Sequence, residues 1–261
     1  MRVTHLAFIY IFFIGYINSY AQKINFKKDG ISYCIQDRSA ILIKKTESNA
    51  SQENIVIPEH VEYQGKQYAV TQIGSKAFCD CVSLISVKIP STVKLIKDWA
   101  FSGCTQLTSV EIPEEIEYID ATAFYGCTAL PQTDGLRYAG RFLVCVADSL
   151  KEEYTIQPGT RWIGANALSY LTSVRSVNIP SSVEVIGCFA FSCCPNLEKV
   201  KLPQHLSCIE HFAFSSCTNL SEIMQLTSVE EAGKFIFRGC EKETMLEEFI
   251  NKIAQKRLPY N

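Results

Sequence analysis

A phenylalanine returns every 23 residues, at Phe78, Phe101 and Phe124, and the interval resumes at Leu168, Phe191, Phe214 and Phe237. Three positions later stands a second column: Cys81, Cys104, Cys127, Leu171, Cys194, Cys217 and Cys240. Leu84, Leu107, Leu130, Val174, Leu197 and Leu220 make a third. Val87, Val110, Val177, Val200 and Ile223 follow, then Ile89, Ile112, Ile179 and Leu202. Proline comes next, at Pro90, Pro113, Pro180 and Pro203. Val93, Ile116, Val183, Leu206 and Val229, then Ile96, Ile119, Ile186 and Ile209, complete the period. A coil this short cannot bury its apolar columns alone, whereas stacked coils share one continuous core. The expected fold is therefore a repeat solenoid, mainly β.

Within a coil, Val87 and Ile89 alternate with Ser86 and Lys88, which is strand periodicity. Pro90 ends the strand because proline has no N–H for the ladder. Successive strands should lie about 4.8 Å apart. The outward partners of the apolar columns are Ser86, Lys88, Ser109, Glu111, Ser176, Asn178, Lys199, Lys201, Glu222 and Met224. They are mostly polar, mixed in sign and different from coil to coil, as a protein-binding face would be, and they are the candidate face. No exposed aromatic cluster is expected beside it, since Tyr118, Tyr125 and Tyr170 share no column.

The L-x-x-V-x-I segment fits the leucine-rich-repeat template. The fuller pattern I-P-x-x-V-x-x-I-x-x-x-A-F-x-x-C-x-x-L-x-x-V, over roughly Ile57–Cys240, resembles the BspA-type leucine-rich repeats of bacterial surface proteins. The resemblance implies a right-handed stack of coils and a role in adhesion or protein binding, with no catalytic residue. The expected partner is a host matrix protein or a bacterial surface protein. The alternative is a glycan-binding accessory protein of a cell-envelope uptake system.

Residues 1–21 read as a signal peptide. Arg2 and His5 precede the apolar run Leu6–Ile17, and Ser19-Tyr20-Ala21 offers a small-residue cleavage site before Gln22. Cleavage would leave no transmembrane span, because a run of this length is short for a bilayer. The chain is expected to be exported, to the cell surface, the medium or the periplasm. Residues 22–56 read as an N-terminal β cap, 57–133 as a first repeat array and 134–167 as an irregular middle coil. A second array follows at 168–240, and a helical cap at 241–261, where Met245, Leu246, Phe249, Ile250 and Ile253 form a stripe. Asp134-Gly135-Leu136-Arg137-Tyr138 echoes Asp29-Gly30-Ile31-Ser32-Tyr33, so the arrays look duplicated along one continuous rod.

A net charge of −2 gives no basic face for nucleic acid. Twelve cysteines in an exported chain invite disulfides. Six of them, Cys81, Cys104, Cys127, Cys194, Cys217 and Cys240, share the column that Leu171 also fills, which marks a buried structural site for free thiols. Cys34, Cys79, Cys145, Cys188, Cys193 and Cys208 lie off the column, and their pairing is left open. His205, Cys208 and His211 have a ligand-like spacing but would lie on opposite sides of a strand. Ser91-Thr92-Val93-Lys94 matches S-x-x-K, yet the Lys94 column holds Glu117, Glu184 and Ser207 elsewhere, as an exposed position would. The chain is accordingly expected to be non-catalytic, with no cofactor and no metal.

Overall fold

The computed structural model describes residues 23–45 and 53–259. The expected signal peptide, residues 1–21, and most of the polar segment Thr46–Asn54 lie outside them. Each regular coil contributes two strands, one more than the column pattern suggests. The first comes from L-x-x-V-x-I. Leu84–Lys88 and Ser109–Glu111 stack in parallel on Glu53–Val56, so the ladder starts ahead of the expected Ile57. In the second array Glu153–Thr155, Ser176–Asn178, Lys199–Lys201 and Glu222–Met224 form the matching parallel sheet.

The second strand is shorter. Leu95–Ile96 and Tyr118–Ile119, and later Trp162–Ile163 and Val185–Ile186, are two-residue strands between the proline corner and the turn that carries the Phe column. One residue of each pair points inward, and that is the isoleucine column. The chain leaves the turn through left-handed backbone, with φ of 73° at Gly103, 77° at Gly126 and 78° at Gly239, a conformation glycine adopts without a Cβ penalty.

Both short-strand sheets open with an antiparallel meander. Ile24–Lys28, Ile31–Gln36 and Ser39–Lys45 open the first, and Ser39–Lys45 pairs in parallel with Lys66–Ile73. The hairpin of His60–Tyr63 with Lys66–Ile73 accounts for the inserted residues there. Gln132–Thr133, Leu136–Ala139 and Phe142–Val146 open the second, and Phe142–Val146 pairs in parallel with Trp162–Ile163. The echoed Asp-Gly pairs are the tight turns of these meanders. Asp29 and Gly30 have φ of 50° and 73°, and Asp134 and Gly135 have 53° and 78°. Both central residues thus have positive φ, as the two-residue turn matched to strand twist requires. The middle of the chain is a second cap.

The arrays do not run on as one rod. Both sheets break between the halves, and the core divides into two clusters. In the second array's short-strand sheet, Leu143, Ile163 and Ile186 face that array's own core. Their neighbours Phe142 and Trp162 turn the other way and join the core of the first array, with Val185 packed against it. The outward face of the second sheet therefore covers the open end of the first array, an end that would otherwise expose its apolar columns. Phe142 meets Phe124 with ring centroids 5.6 Å apart. Ala165 N–H donates to Ala121 O at 2.9 Å. A Cβ at Gly187 would stand 2.9 Å from Ala121 Cβ and from the backbone O of Ile163, so only glycine allows this approach.

At the far end the helix Glu243–Ile253 buries Leu246 and Ile250, while Met245, part of the expected stripe, is exposed. Glu243 and Glu247 accept the backbone N–H groups of Gly239 and Phe237. The tail is not helical to its end, because Ala254–Arg257 turns back as a parallel strand on Ser228–Ala232 and closes the sheet.

Candidate protein-binding faces

The long-strand sheets place the candidate face in register. Asn54, Ser86 and Ser109 share one row, and Val56, Lys88 and Glu111 another. In the second array Lys199 lies beside Glu222, and Lys201 lies between Asn178 and Met224. Lys88, Ser109, Glu111, Asn178, Lys199, Lys201 and Glu222 are exposed, while Ser86, Ser176 and Met224 are half-buried. These rows belong to two separate sheets, so the residues make two faces.

Both faces are tiled with charges of alternating sign. Lys88 pairs with Glu111 and Lys199 with Glu222, each at 3.0 Å. Arg175 lies 3.5 Å from both Glu152 and Glu198. Exposed pairs of this kind hold about 0–1 kcal/mol each, so a partner's charges can replace them at little cost.

The cysteine column is a ladder of thiol hydrogen bonds. Cys104 donates to Phe78 O, Cys127 to Phe101 O and Cys194 to Leu168 O, each at 3.1 Å. Cys217 donates to Phe191 O at 3.0 Å and Cys240 to Phe214 O at 3.2 Å. A small apolar side chain with one weak donor suits a buried site facing a carbonyl. Cys81 stands in the first coil and is only half-buried. All twelve cysteines are free. Burial pushes the Cys240 thiol up to about 12 and that of Cys81 up to about 11. Cys104 and Cys217 are raised by the neighbouring coil's thiol and by burial. Because Cys104, Cys127, Cys194 and Cys217 are fully buried, iodoacetamide at neutral pH should leave them unlabelled in the folded protein. In denaturant without reductant it should label all twelve. Mass spectrometry reads both, and cysteines still protected in denaturant would reveal disulfides.

Among the described residues no group of three or more His, Cys, Asp or Glu side chains could hold a metal ion. His205 Nδ1 meets Ser228 Oγ at 2.5 Å, and His211 Nδ1 accepts the Lys234 N–H at 2.9 Å. Cys208 lies at the junction of the arrays, near Cys188 and Glu210. There Glu210 Oε2 accepts the Cys188 N–H at 2.8 Å, and burial raises its carboxyl above the ordinary range. Lys94 Nζ donates to the backbone O of Ser91 at 3.0 Å and not to its hydroxyl.

Away from these faces, in the turns before the core phenylalanines, the structure forms an aromatic stack that the column pattern did not disclose. Phe189, Phe212 and Phe235 stand two positions before the core phenylalanines and form their own stack. Phe189 and Phe212 are 4.9 Å apart at 2°, and Phe212 and Phe235 are 5.3 Å apart at 24°. Phe189 and Phe235 are 39% and 41% exposed. Trp99 holds the same place in the first array and meets Tyr125 edge-on at 5.6 Å. A second 23-residue aromatic period was visible in these residues. It is masked by Lys76, Thr122 and Asn166 in the same column.

The sequence family described as BspA type leucine rich repeat region matches residues 47–134 and 145–256, in six copies. No curated protein matches the chain. Among solved structures, a leucine-rich repeat protein from Bacteroides ovatus is 28% identical, with a TM-score of 0.50. That match covers 83% of this chain, which spans 57% of the other's length. The leucine-rich repeat protein of T. pallidum is 24% identical over 90% of this chain and 98% of its own, with a TM-score of 0.46. A leucine-rich cell surface protein from Faecalibacterium prausnitzii is 17% identical over 91% and 96% of the two chains, with a TM-score of 0.35.

Proposed function

Because this chain belongs to the BspA-type leucine-rich repeat family, we propose that it is an exported, non-catalytic scaffold that binds other proteins at a cell surface, as an adhesin does. Leucine-rich repeat proteins are generally non-catalytic and act in protein interaction. One observation carries the reading for this chain: rows of exposed side chains that differ from coil to coil are held in register on parallel strands. Such a surface is ordered before it meets a partner, so little conformational entropy is lost on binding. No helix among the described residues is long and apolar enough to cross a membrane.

The test is a binding screen. The chain, recovered after export, is passed over immobilised extracellular-matrix proteins, bacterial surface proteins and a glycan panel. Saturable protein binding is expected, weakened about tenfold by Lys199→Glu with Lys201→Glu. Binding to sugars alone would replace this reading with that of a glycan-binding accessory protein.

A further inference from the structure

We propose that the contact between the two arrays is linked to proton binding at Glu210, so that the arrays hold together more firmly in a mildly acidic medium than in a neutral one. The linkage does not depend on what the faces bind.

Glu210 breaks a local rule. In the second array the residue after the inward column is Gly164, Gly187, Glu210 and Gly233 in turn. A Cβ at Gly164 would stand 2.9 Å from Leu143 O, one at Gly187 2.9 Å from Ala121 Cβ, and one at Gly233 2.5 Å from the backbone carbon of Glu210. The position is crowded, and in this array only Glu210 carries a side chain there, one that ends in a carboxyl group. The last copy of the same position in the first array is Asp120.

The junction gathers both acids into one cluster. Ala121, next to Asp120, stands against Gly187 and accepts the Ala165 N–H at 2.9 Å. One coil on from Gly187, Glu210 donates its N–H to Ile186 O at 2.8 Å and turns Oε2 back onto the Cys188 N–H at 2.8 Å. It is half-buried, near Cys188 and Cys208 of its own array and Tyr118 and Asp120 of the other. Tyr118 Oη donates to Asp120 Oδ2 at 3.2 Å, and Asp120 Oδ1 accepts the Thr122 N–H at 2.9 Å and its hydroxyl at 2.6 Å. The nearby cations are engaged elsewhere. Lys97 lies over the Tyr118 ring at 5.7 Å, and Lys256 pairs with Glu231, the acid of the next coil, at 3.1 Å. His211 follows Glu210, and its Nδ1 accepts the Lys234 N–H at 2.9 Å.

Burial raises the Glu210 carboxyl above its ordinary range against the pull of the Cys188 thiol and N–H, and the Asp120 charge adds to the rise. Separating the arrays would return the group to water. Such an acid makes its full contribution to docking below the ordinary carboxylate range, and the contribution is lost as pH rises through the raised value. Protonated, Glu210 keeps an oxygen for the Cys188 N–H and no longer repels Asp120. Ionised, it leaves a charge half-buried at the contact beside a second carboxylate.

The hydrogen bond from Ala165 N–H to Ala121 O crosses the junction, so hydrogen exchange at that amide, corrected for its intrinsic rate, reads the opening. Between pH 5 and pH 7.5 the protection of Ala165 should fall about three- to tenfold. The Phe214 amide, bonded to Ile236 O at 2.8 Å within the second array, should keep its protection. Glu210→Gln stands in for the protonated acid. It should abolish the fall, raise the protection of Ala165 at pH 7.5 and leave the melting temperature there unchanged or higher. His211 and the other titrating groups are present in both chains, so their effect cancels in the comparison. The proposal fails if the protection of Ala165 does not change with pH, or if the change survives in the glutamine variant. It fails equally if Phe214 loses protection in step with Ala165, which would place the opening inside the array. Should the variant not fold, the two amides of the wild-type chain still decide.

Discussion

Trp162→Ala should cost about 3–5 kcal/mol, the range for deleting a large buried aromatic, and should split unfolding into two steps. Trp162 is 3% exposed and belongs to the core of the first array although its strand belongs to the second. Its neighbour Ile163 packs the second core. The substitution therefore empties space at the end of the first array and leaves the second array's interior filled. The wild-type protein should melt in one transition because each array is held by the other. With the junction hollowed, the first array should melt early and the second near its original temperature. Calorimetry reads this directly. A single transition shifted by the equivalent of less than about 1 kcal/mol would show that the arrays are not coupled through this side chain. Arg161 provides a control. It stacks over Trp162 at 4.3 Å and forks onto Glu184 at 3.0 and 2.8 Å. Arg161→Lys loses the fork but fills no less of the core, and should cost far less.

Phe214→Ala should be as damaging, for a different reason. Phe214 is fully buried and lies between Phe191 and Phe237, with centroids 4.8 and 5.6 Å away. Its loss removes about 3–5 kcal/mol of packing, including two ring contacts of about 0.5–1.5 kcal/mol each. Coils contact only their neighbours, so the damage should appear one coil to either side. Its carbonyl accepts the Cys240 thiol, so faster labelling of Cys240 by iodoacetamide should accompany the loss of stability. Phe214→Leu should be much milder, because Leu168 already occupies the column. Equal effects of alanine and leucine would mean that the stack contributes little.

The column phenylalanines and isoleucines could be read from the sequence because every coil repeats the same demand: an apolar side chain that meets its copy in the next coil. The Asp134-Gly135 echo was legible for a similar reason, since its turn needs two residues of positive φ. The thiol ladder was half legible. Leu171 marked the column as buried, but only the structure puts a carbonyl one coil back within reach of each sulfur. The stack of Phe189, Phe212 and Phe235 went unseen because Lys76, Thr122 and Asn166 share its column, and nothing local shows that the position takes a left-handed conformation.

By itself the sequence determined the repeat unit and the buried columns, because these depend on contacts between equivalent residues a fixed interval apart. Tertiary structure decided how the two arrays meet. Trp162 and Val185 occupy positions that the period assigns to solvent, and Phe142 in the cap pairs beside Trp162. Phe142 and Trp162 are buried and Val185 is half-buried because the open end of the first array lies against that face, and a contact between non-equivalent residues leaves no period to read.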